Sequence, residues 1–268
     1  MSFPKRFSCL VLIGLVTGSA ANAQIDGYKP SPRVYNDQPT STVTITPPAP
    51  INFNPANITI QDIYSGAFTG ANRHDVLASG DGGLTAYNFN IDSSFIFTTR
   101  LTLTAGANSP RKEAGIRINS PITGDMLFIV NSDAGEIVTF GGGSAFHLFG
   151  NNALGNGYTP GTSILLGIKQ VGGGDGPGGI PTTTEFFIDR GSGIVTTGPL
   201  AWSNLELGPL NYQLGVYAQG SSNGGLVVAD YINAVFAETT FALIPEPSTI
   251  SLVSLGLFGV LAFRKRQA

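Results

Sequence analysis

An all-β fold, an antiparallel β-sandwich of jelly-roll type, is predicted by three observations. Gly contributes 36 residues and Pro 17 while only 12% of the chain is charged, a mix that suits short strands joined by many turns and suits helices poorly. From about residue 58 to 241 the dominant hydrophobic period is two, the signature of half-buried strands. Turn chemistry rich in Gly, Asn and Asp separates the periodic stretches. An N-terminal signal peptide and a C-terminal transmembrane helix are expected to flank the sandwich.

The N-terminal stretch MSFPKRFSCLVLIGLVTGSAANAQ carries Lys5 and Arg6, an apolar run from Phe7 to Val16, and Ala21-Asn22-Ala23 before Gln24. Basic, apolar, then small is the pattern of a cleaved secretory signal. It assigns residues 1–23 to the signal, with Ala21 and Ala23 at the specificity positions and Gln24 as the first mature residue. Cys9 is the only cysteine, so a mature chain without it has no disulfide and no thiol nucleophile.

Residues 24–57 hold seven prolines between Tyr28 and Asn57 and read as an extended, partly polyproline segment. Within it Ser41 to Thr46 alternates well enough for one edge strand. The sandwich itself is assigned to residues 58–241. In SFIFTTRLTLTA, Phe95, Phe97, Leu101 and Leu103 share one face, as a strand's alternation requires. Further strands are expected at Ala114 to Ile118, Met126 to Asn131, Glu136 to Phe140, Ser163 to Val171, Thr183 to Asp189, Tyr212 to Ala218 and Leu226 to Phe236. Turns are expected at Ser132 to Gly135, at Asp189 to Gly191 and at Ser222 to Gly225.

The C-terminal residues 242–268 form a separate unit. Ser248 to Phe263 is an apolar run of sixteen residues, about 24 Å as a helix, and Arg264, Lys265 and Arg266 follow it. By the positive-inside tendency that triplet faces the cytoplasm. Pro245-Glu246-Pro247-Ser248, the span and the basic tail together resemble the PEP-CTERM sorting signal of Gram-negative bacteria. The resemblance implies an exosortase-type processing enzyme as partner, passage through the secretion translocon, anchorage in the inner membrane, and association with exopolysaccharide and biofilm at the cell surface. Two prolines around Glu246 remove backbone donors and keep that peptide extended, which suits a substrate of processing.

The body also resembles concanavalin A-like jelly rolls of the laminin-G and lectin or glucanase type, through AGIRI (Ala114 to Ile118), FFIDRGSGIV (Phe186 to Val195) and ADYINAVF (Ala229 to Phe236). Trp202 and Tyr217, and after them Tyr212 and Tyr231, are rings that could stack on sugar, since they pair an apolar face with a polar tip; packing in the core is the alternative for each. The enzymes of that type carry Glu-x-Asp-x-x-Glu. Here Glu185 is followed by Phe187 and Arg190 at the other two positions, and Asp189 lies about 13 Å further along the strand, beyond the 6.5 to 9.5 Å of an inverting pair.

Other motifs reduce to turns. Gly220-Ser221-Ser222-Asn223-Gly224 spells the hydrolase elbow, but a strand follows where the elbow needs a helix. Gly174 to Gly179 spells a dinucleotide loop and also lacks its helix. His74 and His147 are far apart and have no thiol partners. No organic cofactor is expected, the metal content is open, and calcium is the ion that oxygen ligands near Asp75, Asp81 and Asp133 would take. Nine basic residues between the two basic ends face seventeen acidic ones, which excludes nucleic acid as a partner.

The sequence therefore predicts an exported, surface- or matrix-associated protein that binds glycan without catalysis. A divergent glycan hydrolase or lyase on the same fold, and a purely structural biofilm matrix or adhesion protein, are the alternatives.

Overall fold

The computed structural model describes residues 25–90, 93–120, 124–142, 146–173, 182–201 and 211–244. The signal segment, the sorting tail with its span at 248–263, Trp202 and the Gly174 to Gly179 loop all lie outside these residues. Among the described residues no helix is long and apolar enough to cross a membrane.

Among the described residues there are fourteen strands: β1 (Gly27–Asn36), β2 (Thr42–Thr46), β3 (Ala56–Ser79), β4 (Phe89–Asn90), β5 (Phe95–Ala105), β6 (Glu113–Ser120), β7 (Gly124–Asn131), β8 (Ile137–Gly141), β9 (His147–Gly150), β10 (Ser163–Val171), β11 (Thr183–Asp189), β12 (Ile194–Thr196), β13 (Leu200–Ala201) and β14 (Asn211–Leu243). Every described strand pair is antiparallel. They make two packed sheets, and β3 and β14 run through both. Sheet I is β1, the second half of β3, the first half of β14, then β6, β7, β8 and β9. Sheet II is β2, the first half of β3, the second half of β14, then β5, β10, β11 and β12.

The corner where β14 passes from one sheet to the other corrects the turn expected at Ser222 to Gly225. The strand is continuous there, and its register to β3 shifts between Asn223 and Leu226 and again between Val227 and Asp230. Extra residues on one strand of a pair bend it without ending the ladder. Gly224 and Gly225 lie in the first shift, and Gly66 and Gly70 lie on the β3 side of the corner. The glycines thus serve a bend rather than a reversal, and Ser222 is buried within a strand.

The boundary drawn at residue 58 is also corrected. β1 pairs with β3, Tyr28 and Ile51 are wholly buried in the main core, and the Tyr28 amide donates to the Ile51 carbonyl at 2.7 Å. Asn54 then ties this segment to the end of β14. Its Oδ1 accepts from the Tyr28 hydroxyl at 3.0 Å and the Phe241 amide at 3.1 Å, and its Nδ2 donates to the Phe241 carbonyl at 2.9 Å. Pro30 and Pro32 fit because, past the isolated Tyr28–Ile51 bridge, β1 pairs only with β3, and an edge strand tolerates a missing donor. The edge strand expected at Ser41 to Thr46 is present as β2.

Between the sheets the alternation expected for β5 holds, with Phe95, Phe97, Leu101 and Leu103 all at 0% exposure. They meet Ile164, Leu166 and Ile168 of β10, Phe186 and Ile188 of β11, and Ile116, Phe128, Leu214 and Val216 of sheet I in one core. Phe89, Phe95 and Phe241 close one end, with ring centroids 5.1 to 5.6 Å apart. At those separations tilted and offset rings attract beyond simple burial.

Candidate functional site

Because side chains alternate along a strand, the residues of sheet I that do not face the core share its outer face. They include Arg73 and Asp75 of β3, Glu113 and Arg117 of β6, Tyr217 of β14, Asp125, Ile129 and Asn131 of β7, and Val138 of β8. Ile129, Val138 and Tyr217 form an apolar cluster of their own, separate from the main core, with Leu127, Phe140 and Leu148 packed against it. Charged side chains surround this patch.

One network joins three strands. Arg117 pairs with Asp75 and places Nη2 2.7 Å from Asp125, while Arg73 reaches Asp125 at 2.7 Å. Burial pushes the Asp75 carboxyl up and the Arg117 and Arg73 guanidiniums pull it down, with burial the larger effect. A second network lies toward the start of β6. Arg111 contacts Glu113 at 3.1 Å and Glu136 at 3.2 Å, and Asn131 donates to Glu136 at 2.6 Å. Tyr217 ties the apolar cluster to this second network by donating its hydroxyl to Glu113 at 3.1 Å.

Tyr217 is the one candidate sugar-stacking residue of the first rank that the structure describes, and it corrects the expectation. The ring is wholly buried, so it has no open face for a sugar, and burial with the nearby Glu113 carboxylate raises its phenol well above the usual range. Tyr212 packs in the main core, whereas Tyr231 is 39% exposed. The accessible groups of the face are instead Arg111, Glu136 and Asp125, with side chains 38%, 30% and 26% exposed.

The carboxylates weighed for catalysis serve local structure. Asp189 accepts from the Gly191 and Gly193 amides at 2.6 and 3.1 Å, closing the β11–β12 turn, and Glu185 accepts from the Thr196 hydroxyl on the adjacent strand. They lie on sheet II, away from the arginine networks. His74 is buried with both ring nitrogens engaged: Nδ1 accepts from the Arg33 amide at 2.9 Å and Nε2 lies 3.0 Å from Asp62. A histidine so held has no free nitrogen for a substrate proton.

Asp75, Asp81 and Asp133, weighed for calcium, are spread over different parts of sheet I and its turns. Asp81 is enclosed by Ser79, Thr85 and the Leu84 amide, and Asp133 accepts from the Ala134 amide. Among the described residues no three His, Cys, Asp or Glu side chains gather to hold a metal.

The networks on sheet I were missed from sequence, although β6 displays their signal. In EAGIRINS a polar group recurs at Glu113, Arg117 and Asn119 between apolar positions. Charged and polar residues recurring on the non-core side of an apolar strand mark a face with charged neighbours across it.

Comparison with known proteins places residues 243–267 in the PEP-CTERM protein-sorting motif. That motif marks an exported chain handled by exosortase, first as a membrane-anchored precursor and then at the cell surface. No curated protein sequence matches the chain. Among solved structures, the alginate lyase from Corynebacterium sp. is 13% identical, with a TM-score of 0.50 over 82% of this chain and 94% of that one. A protein of unknown function from Shewanella oneidensis MR-1 is 13% identical, with a TM-score of 0.42 over 84% of both chains. A CBM2 module of an evolved Dit protein from Lactobacillus casei BL23 phage J-1 is 14% identical, with a TM-score of 0.37 over 82% and 99%. The likeness to the Corynebacterium structure is one of fold, an all-β jelly-roll sandwich, as the sequence predicts.

Proposed function

We propose that this exported protein holds exopolysaccharide on the outer face of sheet I, without chemistry, as a matrix- or surface-associated glycan binder. The observation that carries the reading is the arginine and carboxylate surface around Arg111, Glu136 and Asp125. Its partly exposed, ion-paired groups offer fixed donors and acceptors to hydroxyl-rich chains, which such planar guanidiniums and carboxylates recognise well. A bias against catalysis comes from the burial of Tyr217, the engaged His74 and the local roles of Glu185 and Asp189. The likeness of the fold to an alginate lyase supports a polysaccharide as the ligand class.

Trp202, which follows the sheet II strand β13, is proposed as a second, stacking contact for the same polysaccharide chain, and as the single tryptophan it also supplies the probe. Exopolysaccharide from the host is titrated into the purified chain while tryptophan emission and retention on immobilised polysaccharide are followed. Binding is expected to shift the emission, and Arg111→Ala is expected to weaken retention about tenfold, the equivalent of about 1.4 kcal/mol. No emission change together with no retention would remove the glycan reading and leave a purely structural matrix protein. Release of unsaturated or reducing sugar by the same sample would instead establish the lyase or hydrolase alternative.

A further inference from the structure

Lys112 immediately precedes β6, and Asp230 lies on β14 just past the corner. Their side chains are 0% and 4% exposed, and Nζ lies 2.6 Å from Oδ2. Despite that approach, Nζ makes no well-directed hydrogen bond among the described residues. An ammonium has three donors, and a buried one with a single badly angled contact is poorly compensated for its lost water.

The carboxylate is better served, and unequally at its two oxygens. Oδ1 accepts from the backbone amides of Ala107 at 3.0 Å and Tyr231 at 2.8 Å. This close approach depends on Gly106, since a β-carbon there would come within 2.7 Å of Oδ1. Oδ2 faces the lysine. The Tyr64 hydroxyl, 3.3 Å from the Ser221 carbonyl, also lies within hydrogen-bonding reach of Asp230, and burial helped by that carboxylate raises the phenol. Two amides on one oxygen, an amine against the other and a phenol donor reproduce the parts of an acyl-transfer site.

We propose that Lys112 and Asp230 condense into an intramolecular isopeptide cross-link. One proton passes from Nζ to Oδ2, leaving a neutral amine and a carboxylic acid. The nitrogen lone pair then attacks Cγ, the Nζ–Cγ bond forms, and the charge that develops on Oδ1 is received by the Ala107 and Tyr231 amides. Collapse breaks the Cγ–Oδ2 bond, and Oδ2 departs as water after taking a second proton from Nζ. Ammonium plus carboxylate give amide plus water, with no oxidant, activated donor or metal needed. The product removes two buried charges at once, and the same burial withholds the water that would reverse the step. Tyr64, as the donor beside the carboxylate, positions the acid for attack.

The test is a peptide map of the full-length chain, purified from membranes in detergent, boiled in SDS and digested with trypsin. A cross-linked Lys112 is resistant to cleavage. The expected product is a branched peptide joining Lys112–Arg117 to the peptide that begins at Gly191, with a mass one water below the sum of the two. Linear Glu113–Arg117 as the sole product from this region would show a free amine and overturn the proposal. Lys112→Arg is expected to abolish the branch. Asp230→Asn is expected to restore the same linkage with loss of ammonia, and its failure to do so where the wild type carries the branch would exclude Asp230 as the acyl partner.

Discussion

Single residues carry opposite electrostatic loads in this domain. Asp81, in the turn after β3, accepts hydrogen bonds from the Ser79 and Thr85 hydroxyls and the Leu84 and Thr85 amides. These hold its carboxyl far below the usual carboxylate range, with Ser79 the largest contributor. The folded state therefore favours the ionised form more than the unfolded chain does. Its stabilisation is complete above the ordinary aspartate range and is lost as pH falls through that range toward the depressed folded value. Urea midpoints measured across acidic pH are expected to fall in the wild type and to fall less steeply in Asp81→Asn. Equal slopes in the two proteins would show that Asp81 does not set the acid limb. Asp75 works in the opposite sense, because burial dominates its environment and raises it.

At the scale of the element, the alternating apolar positions of β5, β10 and β11 were legible from sequence because one face of each strand meets a dry core. Ser163–Val171 and Thr183–Asp189 match the expected strands residue for residue. The continuity of β14 was not legible. Gly and Asn at 220 to 225 carry the same local signal whether the chain reverses or bends, and the difference lies in pairing with β3, more than a hundred residues away in sequence. The ion pairs were hidden for the same reason: Arg73, Arg117 and Asp125 belong to three strands and meet only across the sheet. Bulges do leave one measurable mark. Glu238, in the shift between Phe236 and Thr239 against β3, adopts φ 53°, a region that costs a non-glycine residue about 1 kcal/mol. Its backbone amide still donates to Asn57 at 2.9 Å, and its side chain is 75% exposed. Glu238→Gly is expected to raise stability by about 0.5 kcal/mol after the flexibility of glycine offsets part of the gain. A lower urea midpoint in the variant would mean that the exposed 3.7 Å contact to Arg100 outweighs the backbone term.

At the scale of the whole molecule, the sandwich and its address are separable. The sorting motif covers residues 243–267, and the sheets are complete by Leu243. Deleting residues 245–268 is expected to leave the fold intact and to move the chain from the membrane fraction to the soluble exported fraction, as followed by immunoblotting of cell fractions. Persistence of the truncated chain in the membrane pellet would assign its retention to another segment. The composition is divided in the same way, since five of the fourteen basic residues lie at the two ends and the body between them is acidic.

The route by which the chain leaves the sandwich gives the anchor a mechanical character. β14 has neighbours on both sides in each sheet, β3 and β6 in one, β3 and β5 in the other, and its last residue, Leu243, is also the first residue of the sorting motif. A pull on the tail, as flow or a dragged polymer would exert on a cell-bound protein, runs along the axis of this central strand. It loads the two flanking ladders in shear, where many hydrogen bonds resist together. An edge strand such as β2, hooked at the same point, would peel away one bond at a time. Attachment through β14 makes the most securely held strand the one that takes the strain.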